Sequence, residues 1–321
     1  MQSAKRYLKI GLALAVLSAL LLIVRPAELW EAISQLTLSS LCYLALISIL
    51  LILVSCIKWR VFIRALGSDV PLLRLFNLYL VGYFVNTVVP SYVGGDAVRS
   101  WYVGKNIGQH EAAAATILER FTGIVAMMVL ALTFVWFSEL ATWQIKLIVV
   151  LMALGLAGIT AAVMSDRLYH LLEKLPYLKQ VTRNLKKVRE SFGIAARDRS
   201  VVVKALLLSF LYHSLTVINT MVAAWAVGWL DVSFQEVMVV LPVILLIGAL
   251  PFTPSGLGLQ EGAFMVFLSG IGATSAQALA IGVVLRAKAY ILALIGGLIW
   301  MWLREHKAKG TPELLASKRP T

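Results

Sequence analysis

Acidic side chains are scarce in this chain. Its 321 residues hold 16 Asp and Glu against 29 Lys and Arg, and charged residues make up 14% in all. A soluble domain is about a quarter charged. The shortage leaves too little polar surface to cover a soluble globule, and soluble fold classes are excluded. There are two cysteines, Cys42 and Cys56, both within one apolar segment. That pattern excludes a disulfide framework and the spacings of a structural metal site. The four histidines, His110, His170, His213 and His306, are far apart in sequence, and no His/Cys/Asp cluster marks a metal centre. No G-x-x-x-x-G-K-[ST] run is present, which excludes a P-loop. No metal or organic cofactor is expected.

What is present is apolar. Hydrophobic residues reach 60%, and the mean hydropathy is +0.87. A membrane helix needs about 20 apolar residues. Candidate spans are 7–24, 36–57, 112–137, 143–164, 205–229 and 290–303. The first follows Lys5, Arg6 and Lys9 and lacks a small-x-small cleavage site, so a retained helix is expected. Trp143, Trp229, Trp300 and Trp302 suit interfacial belts.

The formal net charge of +13 orients the spans. Positive residues collect on cytoplasmic loops and face anionic lipid, and nucleic acid is not the expected partner. Residues 166–200 carry nine Lys/Arg against four Asp/Glu. They read as a basic cytoplasmic loop of short amphipathic helices, lying on the inner leaflet or docking an enzyme partner. The tail, 306–321, is short and basic. Both termini are expected in the cytoplasm, and the protein in a cytoplasmic (inner) membrane.

This orientation leaves two stretches that enter and return on one side. Residues 75–111 start and end inside. Residues 237–285 start and end outside, as a second hairpin or as two full spans. Each stretch contains an interruption: "PSYVGGD" from Pro90 to Asp96, and "PSGLGLQE" from Pro254 to Glu261. Both read P-S-x-x-G and then reach an acid. Each is followed by an Ala-rich helix with an arginine, Arg120 or Arg286, 30 and 32 residues beyond the proline. Broken backbone in lipid leaves unsatisfied N–H and C=O groups, so it survives only within protein or beside a wet cavity. Inverted repeats with broken helices are a transporter signature. The expected fold is an all-α polytopic membrane protein with about six full spans. Two oppositely oriented re-entrant broken-helix hairpins would form an inverted repeat, about 36–137 and 205–303, within one transport domain, 1–305.

The pieces "NTVVPSYVGGDAVR" and "PFTPSGLGLQEG" resemble the two motifs of the flippase-like family, also known as the transmembrane region of lysylphosphatidylglycerol synthase. The similarity covers roughly residues 5–305. The resemblance implies the membrane half of those proteins, associated with moving or accommodating lipids. It does not imply the soluble aminoacyl-transferase activity.

Asp96, Arg99, Glu119, Arg120, Glu261, Arg286 and Lys288 lie at or near membrane depth in this reading. Each costs about 2.5–3.5 kcal/mol at a helix centre. One use is structural, as internal ion pairs, with Arg99 and Lys288 snorkelling to an interface. The other is functional. Arg99, Arg120 and Arg286 would receive a phosphate, because the planar guanidinium pairs oxygens bidentately and stays charged. Half-helix N-termini after Gly95 and Gly258 would face the same anion. Asp96, Glu119 and Glu261 would hold the arginines between substrates. Asn86, Pro90, Gly94, Gly95, Pro254, Gly256 and Gly258 complete the expected substrate-binding set; the prolines and glycines would shape the breaks, and Asn86 would bond between helices. Ser91, Thr253 and Ser255 would satisfy freed backbone groups. Asn219 and His213 would bond between helices.

The function expected is a flippase-like lipid transporter, not an enzyme, for an anionic phosphate-bearing lipid such as a phospholipid or polyprenyl-phosphate lipid. The alternatives are a membrane-embedded lipid-phosphate transferase, and a non-catalytic partner of a glycosyltransferase or lipid-modifying enzyme.

Overall fold

The structure is a computed structural model. It describes residues 22–88, 94–140, 142–165, 198–250 and 252–308, with Lys174 and a few positions between 11 and 20. Pro90, Ser91, most of the basic loop 166–200, the tail beyond 308 and most of the expected first span fall outside these residues.

The described residues are helical, with no strand among them. After a short helix, α1 (Pro26–Ser34), come α2 (Leu38–Ala65), α3 (Leu72–Val88), α4 (Gly94–Ile107), α5 (Gln109–Val135) and α6 (Trp143–Met164). Then follow α7 (Arg199–Ala226), α8 (Phe234–Ala249), a 3₁₀ turn (Pro254–Gly256), α9 (Leu259–Ser269) and α10 (Ser275–Ala308). Five helices, α2, α5, α6, α7 and α10, are long and apolar enough to cross a membrane. The final span corrects the expectation of 290–303. It begins fifteen residues earlier, because Arg286 and Lys288 are interior to the helix and do not bound it.

Local signals fix the helix ends. Thr37 and Ser40 form a capping box at the start of α2, each backbone N–H reaching the other's hydroxyl at 3.1 and 3.2 Å. Asp198 caps α7 by accepting from the Ser200 N–H at 2.8 Å. Buried Glu236, in the first turn of α8, accepts from the Ser138 hydroxyl and from the Glu139 N–H at 3.1 Å. That ties the α5–α6 loop to α8.

α3, α4, α8 and α9 are shorter. At 1.5 Å per residue they run about 25, 21, 24 and 17 Å, against a hydrocarbon core of about 30 Å. The chain therefore runs long, short, break, short, long twice: α2 to α5, and α7 to α10. Glycine allows each short pair to close. A Cβ on Gly95 would overlap the Gly82 carbonyl, and one on Gly256 would overlap the Gly248 carbonyl. Gly256 also has φ 68°, which only glycine adopts freely.

Two apolar clusters form the core. One holds Leu44, Ala131, Val135, Val217 and Ala223, with α8 and the first turns of α10 up to Leu285. The other holds Trp59, Phe62, Leu75, Val103, Leu118, Val201 and Ala205, with Leu292 and Ile299 of α10. Along α5, α7 and α10 the polar groups fall between the two: Glu119 and Arg120, Ser209 to Thr216, Arg286 and Lys288. The charged layer is thus sandwiched in depth between two oily ones. Trp229 corrects the belt assignment, being 6% exposed within the first cluster, whereas Trp143 is 68% exposed.

Candidate functional site

Two charged groups occupy this layer. The first is built on Asp96, the third residue of α4. Its carboxylate accepts from Arg120 Nε and Nη2 at 2.6 and 2.7 Å and from Arg99 Nε at 3.0 Å. Arg99 Nη2 reaches Glu119 Oε2 at 2.5 Å, and Lys58 Nζ lies 3.7 Å from the other Glu119 oxygen. Lys58 also donates to Ser209 Oγ of α7 at 3.1 Å.

Arg99 is 1% exposed. Its guanidinium carbon lies 4.5 Å from the Trp59 ring centroid and 4.2 Å from that of Tyr79. A desolvated cation between two aromatic faces gains about 2 kcal/mol or more. That corrects the expectation that Arg99 snorkels: its position on α4, packed against α3 and α5, aims it inward. Lys288 does not snorkel either, since its Nζ donates to Asn219 Oδ1 of α7 at 2.5 Å.

Arg120 differs from its neighbours. Its side chain is 54% accessible, although that of Asp96, which holds it, is 13% exposed. Nε and Nη2 are held by Asp96, and among the described residues no partner reaches Nη1.

The second group is built on Glu261, the third residue of α9. Its carboxylate accepts from the Gly258 N–H at 2.8 Å and pairs with Arg286. Arg286 Nη1 and Nη2 donate to the carbonyls of Ser255 and Gly256 at 3.1 and 3.3 Å, and Nη2 to Gln260 Oε1 at 3.3 Å. Arg286 is only 13% exposed. The register matches the first group. Arg120 is eleven residues after Gln109, where α5 begins, and Arg286 is eleven after Ser275, where α10 begins. In both, the acid at the third position of a short helix holds the arginine.

The two breaks touch. Ser255 Oγ donates to the Asn86 carbonyl at 2.5 Å, and the Asn86 side chain accepts from the Gly95 N–H at 2.7 Å. Ser255 has φ 52°, a left-handed value costing a non-glycine residue of order 1–3 kcal/mol, and its two hydrogen bonds hold it there. Thr253 does not serve as expected: its hydroxyl is buried without a partner among the described residues. Among the described residues, no ion pair joins the first charged group to the second, so Asp96 and Arg99 do not meet Glu261 and Arg286. The N-terminus of α9 is not open to an anion as expected, because the Glu261 carboxylate takes the Gly258 N–H there. Asn219 and His213 do bond between helices, His213 to the Gly123 carbonyl at 2.9 Å.

Sequence reasoning missed Lys58, Trp59, Tyr79, Ser209 and Gln260. Lys58 reads as the end of a span, but α2 continues two turns to Ala65 and leaves Lys58 4% exposed. An apolar groove of about 440 Å³ lies between α5 and α6, lined by Val125, Met128, Leu132, Ala153 and Leu156. Those α5 positions lie round the helix from Arg120, and none of the charged groups lines it.

Both cysteines are free, and no described cluster of His, Cys, Asp and Glu can hold a metal. Long apolar helices around a layer of arginine–carboxylate pairs define a multi-pass helical membrane protein with a charged interior. The family model described as lysylphosphatidylglycerol synthase TM region matches residues 8–297, and the chain belongs to that family. It is 27% identical over 305 residues to a UPF0104 membrane protein of Methanothermobacter thermautotrophicus, covering 86% of this chain and 89% of that one. It is 26% identical over 287 residues to a UPF0104 membrane protein of Methanocaldococcus jannaschii, covering 81% and 84%. No solved structure matches the chain.

Proposed function

We propose that the protein moves an anionic, phosphate-bearing lipid between membrane leaflets, without covalent chemistry. The observation that carries this reading is Arg120. A guanidinium in the charged layer, more than half accessible and with one nitrogen unengaged among the described residues, is suited to receive an oxyanion. Acyl or prenyl tails would stay in the bilayer while the headgroup meets Arg120. The family's name, which concerns the membrane region of a lipid-synthesising protein, fits a lipid substrate.

In this proposal the two long–short–break–short–long units are an inverted repeat, and their breaks are re-entrant hairpins opened from opposite faces. Both termini lie in the cytoplasm. The matched register of Asp96–Arg120 and Glu261–Arg286 supports equivalence of the two units. Rocking one unit against the other would expose each arginine in turn. Arg120 is the accessible one here, and Arg286 is closed over by the 3₁₀ turn. For a transferase, these groups offer Ser209 with Lys58 as a nucleophile–base pair, but both are buried, at 0% and 4% exposure, away from any substrate.

The test is leaflet transfer of a labelled anionic lipid in liposomes. Arg120→Glu and Arg286→Glu, inserted at wild-type levels, should each abolish transfer. Unchanged transfer in both would overturn the proposal.

A further inference from the structure

Among the described residues the charged layer is not neutral. Lys58, Arg99, Arg120, Arg286 and Lys288 are five cations; Asp96, Glu119 and Glu261 are three anions. The excess of two positive charges sits at two separate places. One is the Arg120 group, three cations against two carboxylates. The other is Lys288. Arg286 spends its charge on Glu261, and Lys288, two residues on, faces the other side of α10 and meets only the Asn219 amide. No carboxylate approaches Lys288 among the described residues.

One face of α7 joins the two places. Ser209 takes Lys58, His213 takes the Gly123 carbonyl of α5, Thr216 follows, and Asn219 takes Lys288. The spacings of four, three and three keep these residues on one side of the helix. From Ser209 to Asn219 is ten residues, about 15 Å of rise. The stripe runs from the apolar cluster around Leu118 to the one around Val217, across the depth of the layer.

Resting on the lipid-transport reading, we infer that the headgroup carried has one net negative charge, a phosphodiester, and that it passes from Arg120 to Lys288 along the polar face of α7. A monoanion neutralises the end at which it stands. A dianion leaves that end with one negative charge over. A zwitterion leaves the cation uncompensated at both ends. Uncompensated charge at this depth is what the membrane penalises.

The probes are three lipids with the same labelled acyl chains: phosphatidylglycerol, phosphatidic acid and phosphatidylcholine. Transfer in liposomes should be fastest for phosphatidylglycerol near neutral pH, by at least about tenfold over phosphatidylcholine. Phosphatidic acid is a phosphomonoester, whose second proton binds near pH 6. Its transfer should rise towards that of phosphatidylglycerol as pH falls through about 6, with phosphatidylglycerol as the control for protein titration, His213 included. Faster phosphatidic acid at neutral pH, or equal phosphatidylcholine, would overturn the charge assignment.

Binding of the same lipids to the full chain in detergent, read by native mass spectrometry, tests the class independently of transport. If phosphatidylglycerol binds best but nothing moves, transport falls and the charge class stands. If all three move and bind alike, the charge class falls. A soluble glycerophosphodiester without acyl chains should not compete; if it does, the site takes a free anion, and the lipid assignment falls. Lys288→Gln, inserted at wild-type levels, should lower phosphatidylglycerol transfer at least about tenfold. Unchanged transfer in Lys288→Gln would overturn the route.

Discussion

Replacing Glu119 by Gln removes a buried carboxylate and keeps its shape. Arg99 then loses its 2.5 Å partner and keeps Asp96; Lys58 loses its one carboxylate among the described residues and keeps the Ser209 hydroxyl. Both cations stay inside, at 1% and 4% exposure. Stranding a buried charge by removing its partner costs about 3–5 kcal/mol. At about 2–4 °C per kcal/mol for a chain of this order of size, the midpoint of thermal unfolding in detergent should fall by roughly 6–20 °C. Arg120→Gln is the comparison. Its side chain is 54% accessible, and Asp96 keeps Arg99, so the loss should stay within about 1 kcal/mol. The assay is a thermal melt of purified wild type and the two variants, followed by circular dichroism. Equal losses in the two variants would refute the distinction between a structural pair and an accessible arginine.

Other outcomes follow from the same geometry. Gly256→Ala puts a Cβ into the Gly248 carbonyl at φ 68°, and should lower stability by about 1–3 kcal/mol, seen as a lower melting midpoint. With Cys42 and Cys56 replaced by Ser, cysteines at Asn86 and Ser255 should crosslink under oxidant and stop lipid transfer, since the Ser255 hydroxyl reaches the Asn86 carbonyl; no crosslink would separate the breaks. In the loop after α2, Arg60 and then Arg64 hold the Asp69 carboxyl below the ordinary carboxylate range. A depressed value means the stabilisation is present above the ordinary Asp value near 3.9 and is lost only as pH falls below it. Asp69 is 45% exposed, so Asp69→Asn should cost under about 1 kcal/mol, and less at high salt.

Much of this was legible in the residues, and the reasons are specific. The breaks at Gly94–Gly95 and Pro254–Gly258 were readable because Pro and Gly in an apolar run have few other uses. The pairing of acid and arginine was readable from order alone: Asp96 then Arg120, Glu261 then Arg286. The register that unites them was not. It is counted from the helix starts at Gln109 and Ser275, whereas counting from the prolines gives 30 and 32. Lys58 and Arg99 were misplaced for one physical reason. A single charge near the end of an apolar run looks like a boundary or a snorkeller. Only packing shows that α2 runs on past Lys58, and that Trp59 and Tyr79 enclose Arg99. The α7 stripe was visible only as the lone residues His213 and Asn219, because its partners come from α2, α5 and α10.

The most direct measurement is of the lipid that stays with the protein. Wild type, Arg120→Gln and the control Arg60→Gln are purified in parallel from the same membranes, and their retained lipids are quantified by mass spectrometry. The account predicts an anionic phospholipid on wild type and on Arg60→Gln, and at least about tenfold less of it on Arg120→Gln. Equal retention by all three, or retention of zwitterionic lipid alone, would contradict it.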